Sequence, residues 1–202
     1  MVNTFDGNLR RATVSATLSG VAQLTQGYGY DAAGRLQTAT SGSFSAEYGY
    51  HANSPLVNTV SQRYAGNNRL VTPKQYDAIN RLSNLANGAG DSYAYDYNPA
   101  NQRIKTTLAD GSYWLYTYDS LGQVISGKRY WSDGTIVAGQ QHEYVFDDIG
   151  NRTSAKSGGN SSGTGLRTEN YTPNRLNQYS QKDEAATFDV LGLAKLGACR
   201  LD

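Results

Sequence analysis

A seven-residue unit that recurs along the chain constrains its fold more than any other feature. Tyr30-Asp31-Ala32-Ala33-Gly34-Arg35-Leu36 returns as Tyr64-Ala65-Gly66-Asn67-Asn68-Arg69-Leu70 and as Tyr76-Asp77-Ala78-Ile79-Asn80-Arg81-Leu82. Tyr118-Asp119-Ser120-Leu121-Gly122-Gln123-Val124 and Phe146-Asp147-Asp148-Ile149-Gly150-Asn151-Arg152 keep the aromatic, the Asp and the Gly. Tyr97-Asn98-Pro99-Ala100-Asn101-Gln102-Arg103 substitutes Asn and Pro, and Tyr50-His51-Ala52-Asn53-Ser54-Pro55-Leu56 is a decayed copy. Self-similarity of this kind marks an architecture of stacked units, each unable to bury its own apolar face alone.

The chemistry of the unit is that of a turn. An Asp in first position accepts a hydrogen bond from backbone two residues on, and Gly or Asn in fourth position tolerates positive φ. Asp-x-x-Gly therefore reads as a type I turn closing a hairpin. The Tyr-x-Tyr before it, as in Tyr28-Gly29-Tyr30 and Tyr116-Thr117-Tyr118, is a strand end with both rings on one face. Asn87-Gly88, Asp110-Gly111 and Asp133-Gly134 are dipeptides favoured by two-residue hairpin turns and fall between the Asp-x-x-Gly turns. Strands of roughly six to ten residues then alternate in direction with no helical interval. The expected fold is all-β: an antiparallel meander of repeated hairpins, forming a curved open sheet or a partial barrel over residues 1–193. Asn160 to Gly165 reads as a flexible loop, and residues 194–202 as an irregular tail left by a truncated reading frame or a cloning scar.

Composition agrees once tyrosine is counted as a burial residue. Leu, Ile, Val and Phe make up about 18% of the chain, low enough to suggest disorder, but a net charge of +1 and 16 tyrosines oppose that reading. Tyrosine buries a large ring and keeps its hydroxyl for a partner, so the tyrosine rows are expected to form the core. A charge near zero gives no electrostatic case for nucleic acid. No window approaches the roughly 20 apolar residues of a membrane span, and the first 20 residues carry no targeting signal. The single Cys199 leaves the redox compartment open.

The segments Tyr28 to Leu36, Asn67 to Leu82 and Tyr116 to Val124 resemble the YD repeat of the Rhs family, approximately Tyr-x-Tyr-Asp-x-x-Gly-Arg-Leu, over roughly residues 20–190. Tyr171 to Tyr179 resembles a further element that follows the repeats in some bacterial members, and Phe188 to Gly192 looks like the opening of another unit. The resemblance implies strips of hairpins that spiral into a shell enclosing a toxin or other C-terminal payload, or that form the barrel of cell-surface adhesion proteins. The parent is then expected to be secreted or at the cell surface. The chain holds few repeats for a closed shell, and nothing in it matches the Asp-Pro self-cleavage segment of many bacterial Rhs cores. On the resemblance, Tyr30, Asp31, Gly34, Arg35, Tyr76, Asp77, Arg81, Tyr118, Asp119 and Gly122 define the repeat.

Chemistry-bearing residues are sparse. A hydrolase would have to use His142 with Glu143, or His51, the only two histidines. His51 occupies the Asp position of a decayed repeat, His142 sits in a strand-like segment, and there is no Gly-x-Ser-x-Gly elbow. Asp147, Asp148 and Asn151 offer hard oxygens for calcium without the spaced acidic set of an EF-hand. A turn cap is the simpler role. The expectation is a structural scaffold with no cofactor and no metal, the alternatives being that hydrolase and a carbohydrate-binding module using exposed tyrosines. The expected partners are the remainder of a longer YD-repeat protein or a second copy through sheet edges, and glycans in the second alternative. Arg35, Arg69 and Arg81 are expected to stack on tyrosines or pair with Asp31 and Asp77.

Overall fold

The computed structural model describes residues 1–88 and 90–183. The tail at 194–202 and the unit opening at Phe188 lie outside the described residues. The sequence folds as an all-β meander in which strand order follows chain order from first to last. One compact unit, Met1–Ala94, holds β1 (Val2–Phe5), β2 (Arg11–Leu18), β3 (Val21–Tyr30), β4 (Leu36–Ser41), β5 (Phe44–Tyr50), β6 (Val57–Tyr64), β7 (Asn67–Tyr76) and β8 (Leu82–Ala86). Strand β9 (Ser92–Tyr97) runs into the second unit, Tyr95–Asp202, which holds β10 (Arg103–Leu108), β11 (Tyr113–Tyr118), β12 (Val124–Tyr130), β13 (Ile136–Phe146), β14 (Arg152–Gly158), β15 (Leu166–Pro173) and β16 (Tyr179–Asp183). The sheet is open, with β1 and β16 at the two ends of the order. Among the described residues no helix is long and apolar enough to cross a membrane.

The Asp-x-x-Gly units are the turns expected. The Gly34 N–H donates to the Asp31 carbonyl at 2.9 Å and the Asp31 N–H to the Arg35 carbonyl at 2.9 Å. Asp77–Arg81, Asn98–Gln102, Asp119–Gln123 and Asp147–Asn151 repeat both bonds. The fourth residue is left-handed in each, Gly34 at φ 79° and Asn80 at 66° among them, so only Gly or Asn sits there without strain. Asn174–Gln178 has the same two bonds, making the Tyr171–Tyr179 element one more copy of the repeat turn.

Three expectations are corrected. Tyr64 to Leu70 is not a repeat turn: it lacks the Asp, and Tyr64 pairs with Asn67 around a two-residue turn in which Ala65 and Gly66 both have positive φ. This is the twist-matching primed geometry. Conversely, Asp110-Gly111 and Asp133-Gly134 do not form two-residue turns. Gly111 bonds back to Leu108 and Gly134 to Trp131, so each Gly is the fourth residue of a longer turn, and at Asn87 the bond comes from Gly90 rather than Gly88. Asn160 to Gly165 contains a turn of the same form, with Gly163 bonding to Asn160 and Asn160 to Thr164.

Nor do the tyrosines make an enclosed core. Among the described residues the buried apolar side chains are Val14 in the first unit and Val137 and Ala155 in the second, while Tyr64, Tyr93 and Tyr179 are exposed and the other tyrosines half-buried. A thin sheet has no second layer to cover a ring completely, so each ring is covered by its row neighbours instead. Tyr113 stacks on Tyr130 at 5.4 Å and Phe44 tilts against Tyr64 at 4.9 Å.

Candidate functional site

The repeated turn carries the most constrained chemistry of the molecule. In Asp31–Arg35, Oδ1 of Asp31 accepts the Arg35 N–H at 2.8 Å and Oδ2 accepts Nε of the same arginine at 2.7 Å. Asp77 holds Arg81 identically, at 2.9 and 2.6 Å. Hydrogen bonds from the Arg35 backbone and guanidinium hold the Asp31 carboxyl below its ordinary value against the opposing effect of desolvation. At Asp77 desolvation is the largest effect and pushes upward, but the Arg81 bonds together outweigh it. Asp119 keeps the backbone bond to Gln123 at 2.8 Å. Asp6–Arg10 is a further clasp that the sequence reading missed, with Leu9 in the left-handed fourth position and Arg10 bound through Nε at 2.8 Å.

Four units are then tied to the unit before them. In these four the tyrosine before the turn donates its hydroxyl to the carbonyl just after the preceding turn. Tyr30 reaches Arg11 at 2.9 Å, Tyr50 reaches Leu36 at 2.6 Å, Tyr76 reaches Val57 at 2.9 Å and Tyr118 reaches Arg103 at 2.6 Å. Arginine stacking follows the same step. The Arg10 guanidinium lies 4.5 Å from the Tyr30 ring and that of Arg35 lies 4.3 Å from Tyr50, while Arg69 lies 5.6 Å from Tyr64. Arg35 Nη1 also donates to the Ser54 carbonyl. The recurring spacing of Tyr, Asp and Arg within a unit thus serves contacts between units. Phe146, before Asp147, has no hydroxyl to complete this tie.

The residues considered for catalysis are not brought together. His142 and Glu143 are successive residues of β13 and so project to opposite faces. His142 stacks on Trp114 with ring centres 6.0 Å apart, and burial lowers its pKa. Glu143 pairs with Lys128 at 2.6 Å and Lys156 at 3.9 Å, and the Lys128 hydrogen bond holds its carboxyl below the ordinary range. His51 heads the turn ending at Leu56 and meets the Tyr76 ring edge-on at 5.6 Å. Asp147 accepts Ile149 N–H at 3.1 Å and Asn151 N–H at 2.8 Å on Oδ1, and Nδ2 of Asn151 at 2.9 Å on Oδ2. Its oxygens serve the turn. Among the described residues no three His, Cys, Asp or Glu side chains cluster closely enough to hold a metal, Asp148 included.

A second constellation had no signal in the sequence. Between the pairs Lys128↔Gln141 and Tyr130↔Ile136, the single residue Arg129 faces four residues of β13, a wide bulge. The Gln141 side chain, 1% exposed, fills it by donating Nε2 to the Arg129 carbonyl at 3.0 Å and the Val137 carbonyl at 3.1 Å. Alongside, fully buried Ser112 donates to Asp110 at 2.6 Å and accepts Nη2 of Arg129 at 3.0 Å. These contacts hold a distortion of the sheet, and the Asp110 carboxylate oxygen that accepts the Ser112 hydroxyl also accepts its backbone N–H at 2.9 Å.

Residues 97–135 match the model of the RHS repeat. Over that stretch the chain carries an RHS repeat. No curated protein matches it. Among solved structures, the chain resembles TcdB2-TccC3 without its hypervariable C-terminal region at a TM-score of 0.70 and 16% identity, over 91% of this chain and 11% of that one. It also resembles TcdB2-TccC3-Cdc42 at 0.56 and 12% identity, over 89% and 12% of the two chains, and TcdB2-TccC3-TEV at 0.56 and 13%, over 89% and 12%. At these identities the likeness is one of fold, and the chain spans only about an eighth or a ninth of the structures it matches.

Proposed function

We propose that the chain is a stretch of structural wall in a larger RHS-repeat shell, one that encloses a C-terminal payload in a secreted or cell-surface parent. The observation that carries this reading is the tie between units. The hydroxyls of Tyr30, Tyr50, Tyr76 and Tyr118 all run to the preceding unit, so the sheet extends by adding units and has no need of a central core or an active-site cleft. The fold likeness to TcdB2-TccC3 supports it. In the longer parent, the segment downstream of the repeats should resist protease until the sheet is unfolded by urea. Cleavage of that segment at the rate seen in the denatured protein would overturn the enclosure. Turnover of ester, lactone or glycoside substrates by the purified chain, lost on His142→Ala or His51→Ala, would overturn the non-catalytic role.

A further inference from the structure

Among the described residues four turns are headed by asparagine, and in each the carboxamide is bonded to the fifth residue of the turn. Nδ2 of Asn87 donates to Asp91 Oδ2 at 3.0 Å, that of Asn98 to Gln102 Oε1 at 2.6 Å, that of Asn160 to Thr164 Oγ1 at 2.9 Å and that of Asn174 to Gln178 Oε1 at 3.3 Å. Only the first of these partners is charged. Where aspartate heads a turn, the fifth residue is Arg10, Arg35, Arg81, Gln123 or Asn151, never an acid. The turn from Asn87 to Asp91 therefore closes because the side chain that heads it is an uncharged amide. A carboxylate in its place would stand about as close to Asp91 as Nδ2 does now, with no hydrogen to offer and a like charge opposite.

That amide is also the one most open to attack. Asn87-Gly88 is the single Asn-Gly pair of the chain. A backbone nitrogen can attack the side-chain carbonyl of the asparagine before it, and glycine hinders this least because it has no side chain and a permissive backbone. Asn98 is followed by Pro99, whose nitrogen has no proton to lose, and Asn160 and Asn174 by Ser161 and Arg175, whose side chains obstruct the approach. Gly88 and Asp91 are exposed, so water reaches the turn. Three hydrogen bonds restrain the reacting groups while the turn is closed. Two join Asn87 to Asp91, the second being the Asp91 N–H to Oδ1 at 3.1 Å, and the third runs from the Gly88 N–H to the Val71 carbonyl at 3.2 Å.

We propose that Asn87 is a site of spontaneous deamidation, and that the reaction opens the turn between β8 and β9 irreversibly. The Gly88 nitrogen gives up its proton and bonds to Cγ of Asn87, the Cγ–Nδ2 bond breaks, ammonia leaves and a succinimide ring remains. Water then opens the ring at either carbonyl, leaving an aspartate or an isoaspartate where Asn87 stood. Both products set a second carboxylate against Asp91. Isoaspartate also adds a carbon to the main chain between the paired strands, disturbing the Ala86↔Ser92 register. Because the closed turn holds both reacting groups, the rate is set by how often the turn opens.

The full chain, kept at mildly alkaline pH and body temperature, is followed by peptide mass spectrometry for the mass gained when an amide becomes an acid. Asn87 should convert at least about tenfold faster than Asn98, Asn160 or Asn174, and urea should speed it a further ten- to a hundredfold or so by releasing the three hydrogen bonds. Asn87→Asp supplies the product directly, and hydrogen exchange of the β8 and β9 amides should then quicken about tenfold. Adding Asp91→Asn to it should restore the slow exchange, since Asp147 already holds Asn151 through the same bond at 2.9 Å. Conversion of Asn87 no faster than that of the other three, or no faster in urea than without it, would overturn the proposal. So would exchange unchanged by Asn87→Asp, or equally fast in the double variant, because repulsion would then not be what opens the turn.

Discussion

Gln141→Glu tests how far the second unit depends on the filled bulge. The substitution changes one atom and almost no volume, but a carboxylate has no hydrogen to give to the Arg129 and Val137 carbonyls, which Gln141 now serves at 3.0 and 3.1 Å. At 1% exposure water cannot replace those bonds. A buried carboxyl facing two carbonyl oxygens is raised by desolvation and repulsion, by about three units on the scale of other buried glutamates, equivalent to about 4 kcal/mol. The sign follows directly. With a folded pKa above the unfolded value of about 4.3, the neutral acid folds better than the anion. Stability is retained below pH ~4.3 and lost as pH rises toward about 7. Even the neutral acid donates only one bond where the amide donates two, so about 1 kcal/mol is lost at low pH as well. Urea unfolding followed by fluorescence of Trp114 and Trp131, the two tryptophans of the chain and both in the second unit, reads this unit alone. A midpoint difference from the parent that stays below 1 kcal/mol and does not grow from pH 5 to pH 8 would refute the role given to Gln141.

Phe146→Tyr should stabilise the second unit by about 1 kcal/mol, because the new hydroxyl can reach the Val124 carbonyl in the way Tyr50 reaches Leu36; the urea midpoint measures it. Tyr118→Phe should cost a similar amount by losing the bond to Arg103, again about 1 kcal/mol. Burial lowers the His142 pKa, so its contribution is present above the unfolded value of about 6.5 and falls away as pH drops through that value toward the folded one; His142→Phe should flatten the midpoint in that window. Gly34→Ala should lower the thermal midpoint of the first unit through strain at φ 79°, with about 1 kcal/mol lost.

The hairpin turns were legible in the sequence because their signal is local: an Asp that caps and a Gly or Asn that bends lie within four residues. The same locality misled at Tyr64, where Tyr, Arg and Leu fall at the repeat spacing without the Asp that makes the clasp. Asp6–Arg10 was hidden for the opposite reason, since Phe5 stands for the tyrosine and Leu9 takes the left-handed position without being Gly or Asn. The tyrosine ties join residues 14 to 19 positions apart, and period-two alternation says which face a ring occupies but not which carbonyl it meets. Gln141 gives no warning at all, because a bulge is a mismatch between two strands and belongs to neither alone.

The in-order strand arrangement limits how such a wall can change length in evolution. Removing one strand would reverse every strand after it, send the downstream clasps to the other rim and leave their tyrosines facing carbonyls of the wrong turn. Removing two strands together restores direction, rim and tie at once. Insertions and deletions that survive selection should therefore come in even strand numbers, so that relatives of different length differ by whole hairpins, each complete with its Tyr, its Asp and its Arg.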